Sequence, residues 1–265
     1  MSESVLCEVD PRGVATITLN RPEKRNAFDD TLIARLTETL LDLRARDDVR
    51  VIILTGAGSA FSAGADLNWM RSMADYSEED NVEDALRLAE LMSVLNHLTL
   101  PTVARVNGHV FGGGLGLVAC CDIAVADREA LFALSEVRLG LVPAVISPYV
   151  IAAMGTRNAR RFFLTGEPMS ARKARRVGLI HEIAKPSRLD KAVEHQVEML
   201  LAGGPLAIRE SKELIAMVAG STESAAEVIT RRTAEIIAQL RVSDEGQEGL
   251  SAFLEKRPPD WSRTS

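Results

Sequence analysis

A chain of 265 residues, 46% of them hydrophobic, is long enough for one large domain or for a core with a smaller lobe. Its net charge of −6 offers no overall attraction to nucleic acid or to an anionic membrane. No window approaches the roughly 20 uninterrupted apolar residues that a spanning helix needs, and no basic start leads into an apolar stretch as in a signal peptide. Cys7, Cys120 and Cys121 are odd in number and two are neighbours, a poor disulfide framework. A soluble protein of the reducing cytoplasm is expected, with neither membrane nor nucleic acid as partner.

Val5 to Val9 and Val14 to Leu19 alternate about Asp10-Pro11-Arg12-Gly13, which predicts a β-hairpin. Asp29 or Asp30 is placed to cap a helix whose apolar face is Leu32, Leu36, Leu40 and Leu43, and Val49 to Thr55 then reads as a buried strand ending at Gly56. A second round follows: a helix over Val82–Leu98, a strand over Thr102–Asn107, a glycine run, a helix from Leu115 to Cys120, and short strands at Ile123–Ala126 and Leu131–Leu134. This is a stack of repeated β-β-α turns. Beyond about residue 155 strand signals fade, and helices are expected over Asn158–Leu164, Ala171–Val177, Leu189–Leu201, Leu206–Val218, Ser224–Leu240 and Glu245–Lys256. No Pro/Gly/Ser-rich linker separates this helical part, so it should pack on the core or on neighbouring subunits.

Two small-residue segments carry the chemical signal: Phe61-Ser62-Ala63-Gly64-Ala65-Asp66-Leu67 and Phe111-Gly112-Gly113-Gly114-Leu115-Gly116. Each follows a strand and can present bare backbone N–H groups, which is what a polarised carbonyl needs. The glycine run also opens a helix, where the dipole favours negative charge. A dinucleotide fingerprint would require glycine where Leu117 stands, and no Gly-Lys-Ser/Thr follows, so nucleotide-phosphate readings are poor. A purely structural glycine turn remains open beside anion stabilisation. Asp66 reads first as a helix cap or structural acid. Glu136 lies in a mostly apolar stretch with only Arg138 as a further charge; burial would raise its pKa and suit it to proton transfer, while pairing with Arg138 would make it structural.

Other clusters read more plainly. Six carboxylates between Asp75 and Asp84 suggest a solvated helix entry. The basic run Arg157, Arg160, Arg161, Arg172, Lys173, Arg175 and Arg176 lacks interleaved aromatics, so an exposed helical face or phosphate contacts fit better than RNA binding. His97, His109, His181 and His195 lack metal-ligand spacing, and no nucleophile elbow is present. Neither a metal nor a redox cofactor is expected.

Several motifs in order make the chain resemble the crotonase, or enoyl-CoA hydratase/isomerase, superfamily over nearly its whole length: Asn20-Arg21-Pro22 with Asn26-Ala27-Phe28, Ala63-Gly64-Ala65-Asp66-Leu67, Gly112-Gly113-Gly114, and Ala252-Phe253-Leu254-Glu255-Lys256-Arg257. The resemblance implies an α/β fold with a β-β-α spiral core over residues 1–200. It also implies a helical oligomerisation region over 201–265 that makes trimers or dimers of trimers, and a coenzyme A thioester as substrate. By position, the N–H groups of Ala63 and Gly113 would hold the thioester oxygen and Glu136 would act as acid/base. Arg25, Ala27, Ala65, Asp66 and Leu67 would lie near the CoA nucleotide, joined by Phe253 and Lys256 from the same or an adjacent subunit. Family hydratases carry two glutamates, and the first falls here on Gly116. The stretch Leu134 to Tyr149 is similar to a bacterial subgroup that hydrates branched glutaconyl-CoA thioesters, including the 3-methylglutaconyl-CoA of leucine breakdown and isohexenylglutaconyl-CoA. On that reading Gly116 makes room for the 3-branch.

Overall fold

The computed structural model describes residues 3–73, 76–220, 235–237, 239–240 and 243–262. Asp75 and most of the helix expected over Ser224–Leu240 lie outside these residues, as does the side chain of Met73.

The opening hairpin forms as its alternation requires. Strands β1 (Val5–Val9) and β2 (Val14–Leu19) pair antiparallel. The Asp10 carboxylate accepts the N–H groups of Arg12 and Val14, and Gly13 closes the turn at φ 79°, a conformation open to glycine without steric cost. Asp29 then caps α1 (Asp30–Arg44), its carboxylate accepting the Leu32 N–H at 2.9 Å.

From there strands alternate between two sheets. β3 (Val51–Gly56), β5 (Thr102–Val106) and β7 (Ile123–Asp127) enter a six-stranded sheet, while β4 (Ala60–Ser62), β6 (His109–Phe111) and β8 (Leu131–Ala133) enter a smaller one. Each pair is followed by helix: α2 (Leu67–Met73) and α3 (Glu78–Asn96), α4 (Gly113–Cys120), then α5 (Ser147–Thr165). Three β-β-α turns therefore stack, with β2, β3, β5 and β7 parallel in one sheet and β4, β6 and β8 parallel in the other. The larger sheet is covered on both faces, which explains why its strands read as continuous apolar runs. One face meets α1, α3, α4 and α5; on the other, Val14, Val51, Val103 and Val125 meet Leu189, Val193 and Val197 of α7 (Leu189–Ala202).

Two sequence expectations are corrected here. Strands continue beyond residue 155: β9 (Met169–Ser170) closes the small sheet against β8, and β10 (Glu182–Ala184) extends the large one beside β7. Both are too short to show a period of two. The expected helix at Asn158 is the second half of α5, whose first half is set off by a kink at Gly155 (φ 74°). Further helices are α6 (Ala171–Arg176), α8 (Pro205–Ala219) and α9 (Asp244–Glu255). The C-terminal helices are tied to the core, since Lys212 bonds Asp122 and the Leu100 carbonyl while Arg50 bonds the Gly203 carbonyl. No helix among the described residues is long and apolar enough to cross a membrane.

Candidate active site

The two small-residue segments meet. Gly64 (φ 85°) packs so closely on the second segment that a Cβ there would lie 3.2 Å from the Phe111 carbonyl oxygen and 3.7 Å from the Gly112 Cα. A Cβ on Gly112 (φ 49°) would in turn lie 3.3 Å from Glu136 Oε1. The chain therefore brings Gly64, Gly112 and the Glu136 carboxylate to one point, and any side chain on either glycine would fill it.

Hydrogen-bond accounting then decides which amides are available there. The Ala63 N–H donates to the Arg25 carbonyl at 2.9 Å, and the Gly64 N–H points to Ser62 Oγ at 3.3 Å. Phe28 is bridged to the segment on either side of Ala65, donating to the Gly64 carbonyl and accepting from the Asp66 N–H. The Ala65 N–H meets no acceptor among the described residues, and neither does that of Gly113, the first residue of α4. The expectation of a free amide at Ala63 is corrected: Gly64 turns the chain, so the Ala63 N–H faces the 20–28 loop and the Ala65 N–H is left free. The Phe28 ring lies against the backbone of Gly113, where a Cβ would come within 2.8 Å.

Glu136 opens a short 3-10 turn after β8. Its Oε2 is buried without a hydrogen-bond partner, and burial pushes its pKa up. Arg138 does not neutralise it; that side chain lies instead against Gly166. Glu136 is therefore not half of an ion pair with Arg138.

The position of the first family glutamate is filled. A Cβ on Gly116 would come within 2.3 Å of Ile146 Cγ2 and 2.9 Å of Met92 Sδ, and both residues are buried. The expected room for a substrate branch at Gly116 is therefore absent, because Ile146 occupies it.

The residues expected near the nucleotide divide. Arg25 (φ 51°), Ala65 and Leu67 are exposed along one edge, whereas Ala27 is buried. Asp66, only 4% exposed, binds Lys24 at 2.8 Å and Arg21 at 3.1 Å and caps α2 through the Asn68 N–H. The Lys24 hydrogen bond holds its carboxyl below the usual range, so its side chain is an anchor for the loop. Phe253 and Lys256 stand exposed at the end of α9, and no hydrogen bond or ion pair among the described residues joins them to Ala65–Leu67. Sequence reading missed the Ala65 N–H and buried Asn26, whose side chain ties the loop to the Ala57 and Ala60 carbonyls. Asn26 had a visible signal, a polar residue flanked by an apolar Ala-Phe pair.

The described part of the acidic cluster is a helix entry, with Ser77 and Asp80 forming a capping box on α3. Trp69 is buried in the core with its N–H on Asp30. His109 and His181 accept backbone N–H groups of Leu131 and Ala124. Cys120 and Cys121 are buried, and burial drives the Cys121 thiol up to about 12.

Comparison with known proteins shows the family. Residues 10–264 match the enoyl-CoA hydratase/isomerase family model. The crystal structure of an enoyl-CoA hydratase from Shewanella pealeana superposes with a TM-score of 0.92 at 44% identity, covering 97% of this chain and 96% of that one. The 2,3-dehydroadipyl-CoA hydratase of Escherichia coli is 32% identical over 250 residues, 94% of each chain. The (E)-benzylidenesuccinyl-CoA hydratase of Thauera aromatica is 31% identical over 250 residues, 93% of this chain and 94% of its own. With the alternating two-sheet core, the paired free amides and the adjacent acid, this chain belongs to the enoyl-CoA hydratase/isomerase family of enzymes.

Proposed function

We propose that the protein adds water reversibly across the 2,3 double bond of a branched glutaconyl-CoA, such as 3-methylglutaconyl-CoA or isohexenylglutaconyl-CoA. The observation that carries this reading is Glu136, a half-buried carboxylate whose Oε2 is enclosed without a partner, beside the glycine that precedes the free Gly113 amide. The N–H groups of Ala65 and Gly113 hold the thioester oxygen as charge moves onto it from the double bond. Glu136 takes a proton from water as the oxygen adds at C3, and the resulting acid returns that proton to C2, so one group serves both steps. The second carboxylate of the substrate, or a water between it and Glu136, takes over part of the work that a glutamate at Gly116 would do. Support comes from the Escherichia coli and Thauera relatives, whose named substrates are CoA thioesters with a second carboxylate. Arg25, Ala65 and Leu67 form the edge along which the CoA nucleotide lies, and Phe253 and Lys256 reach it from an adjacent subunit of a trimer.

The test compares hydration of 3-methylglutaconyl-CoA and crotonyl-CoA through loss of the enoyl thioester absorbance, for wild type and Glu136→Gln. Turnover is expected on the branched substrate, reduced about 10²–10⁴-fold by Glu136→Gln. Full activity in the variant would remove Glu136 from the mechanism. A single acid beside the two amides also suits a double-bond shift, in which the same carboxyl moves a proton between two carbons. Product analysis separates that reaction from hydration, and binding of CoA thioesters without turnover of any of them would reduce the chain to a carrier.

A further inference from the structure

Positive charge accumulates where the hydration chemistry has no use for it. Arg128 in the turn after β7, Arg172, Arg175 and Arg176 on α6, and Lys185 after β10 surround an open hollow of about 550 Å³, completed by Ile183 and Ala184. Five cations converge there in a chain whose net charge is −6. All five residues are exposed, and among the described residues none of these side chains pairs with a carboxylate. Other surface arginines do: Arg12 pairs with Glu194, Arg46 with Asp48, Arg161 with Glu167 and Arg257 with Glu248. Of the acids nearest in sequence, Asp127 accepts the Glu129 N–H, Glu182 accepts from Gln196, and Glu129, exposed beside Arg128, does not line the hollow.

The fold holds these charges together against their repulsion. The Arg128 N–H donates to the Ala184 carbonyl at 2.8 Å, and the Ala171 N–H donates to Ala130 at 3.1 Å, which registers the turn, β10 and α6 on one another. Buried Ala171 and Ala174 fix α6, so Arg172, Arg175 and Arg176, at i, i+3 and i+4, share its outer face. The hollow lies at the Ala130–Leu131 end of β8, whereas Glu136 follows the other end. Across the large sheet, β7 and β10 are three and four strands from β2, whose following loop carries Arg25; at about 4.8 Å per strand that is roughly 14–19 Å.

Guanidinium forks match phosphate oxygens two at a time, and a hollow of this size falls within the roughly 300–1,000 Å³ of small-molecule sites. No aromatic side chain lines it to stack a base. We propose that it is a second binding site, separate from the thioester site, for a soluble small molecule carrying two or more linked phosphate groups.

Isothermal titration with inorganic tripolyphosphate tests this, with sulfate as the single-anion comparison. Wild type and Arg172→Glu/Arg175→Glu are titrated with and without saturating CoA. One tripolyphosphate per chain is expected, at least tenfold tighter than sulfate, weakened at least tenfold in the variant and unchanged by CoA; enoyl-CoA turnover and sedimentation of the variant stay as in wild type. Arg172→Gln/Arg175→Gln should show the same loss without charge reversal. Displacement by CoA, insensitivity to the substitutions, or equality with sulfate would overturn the proposal. So would a changed oligomer size in the variants, which would make the cluster a contact between chains. Co-sedimentation with phosphatidylglycerol vesicles would move it to a membrane surface and also overturn it.

Discussion

The Glu136 carboxyl carries a desolvation cost. Its Oε2 is buried with no partner, so desolvation raises its pKa. A raised carboxyl pKa means that the folded state holds its proton more tightly than the unfolded chain. The stability contribution is then fully present below the ordinary glutamate range and lost as pH rises through the folded value. Glu136→Gln should therefore melt higher than wild type near neutral pH, with the gap closing in acid, while the acid limb of kcat/KM in wild type lies above the ordinary glutamate range. A melting gap independent of pH would contradict the assignment. Gly116 presents the opposite case, a missing atom demanded by packing. Gly116→Ala drives a methyl into Ile146 and should cost about 1–3 kcal/mol. Ile146→Ala removes the obstructing Cγ2, so the double variant should be more stable than the two single costs add up to; strict additivity in denaturant melts would refute that contact. Neither partner is legible as such in the sequence, because residues 30 positions apart show no local pattern.

At the scale of elements, the site depends on a loop laced to a strand end. Asn26 (φ 56°) bonds Ala57 and Ala60, Arg25 receives the Ala63 N–H, and Asp66 gathers Lys24 and Arg21. The lowered Asp66 pKa gives stability that is present above the unfolded carboxyl value and lost as pH falls through the folded one. Asp66→Asn should cost about 1–3 kcal/mol at neutral pH and raise KM for the thioester more than it lowers kcat; a fall in kcat alone would place Asp66 in the chemistry. The sequence announces the hairpin, the long helices and the two small-residue segments, since each has a period or a composition of its own. It conceals β4, β6, β9 and β10, which are only two or three residues long and exist through their neighbours. It also points to Ala63 and not Ala65 as the free amide, because which amide is free follows only from the carbonyl each reaches after the turn at Gly64.

At the scale of the molecule, the C-terminal helices are the unbalanced part. None of the residues of α8 is fully buried, and Ile215, Leu250, Phe253 and Leu254 on α8 and α9 are exposed, the last two by 79% and 70%. Side chains of this size normally leave water, and apolar surface gathered on neighbouring helices marks an interface. A stable contact needs about 800 Å² from each partner, which two adjacent amphipathic helices can supply. The trimer expected for this family would cover that surface and carry Phe253 and Lys256 toward the CoA edge of a neighbour, so assembly and substrate binding should fail together. Phe253→Asp/Leu254→Asp should shift sedimentation toward the monomer and raise KM for the thioester, while the fold signal by circular dichroism is retained. Wild type sedimenting as a monomer at micromolar concentration would refute the trimer, and an unchanged KM in a monomeric variant would show that each chain completes its own site.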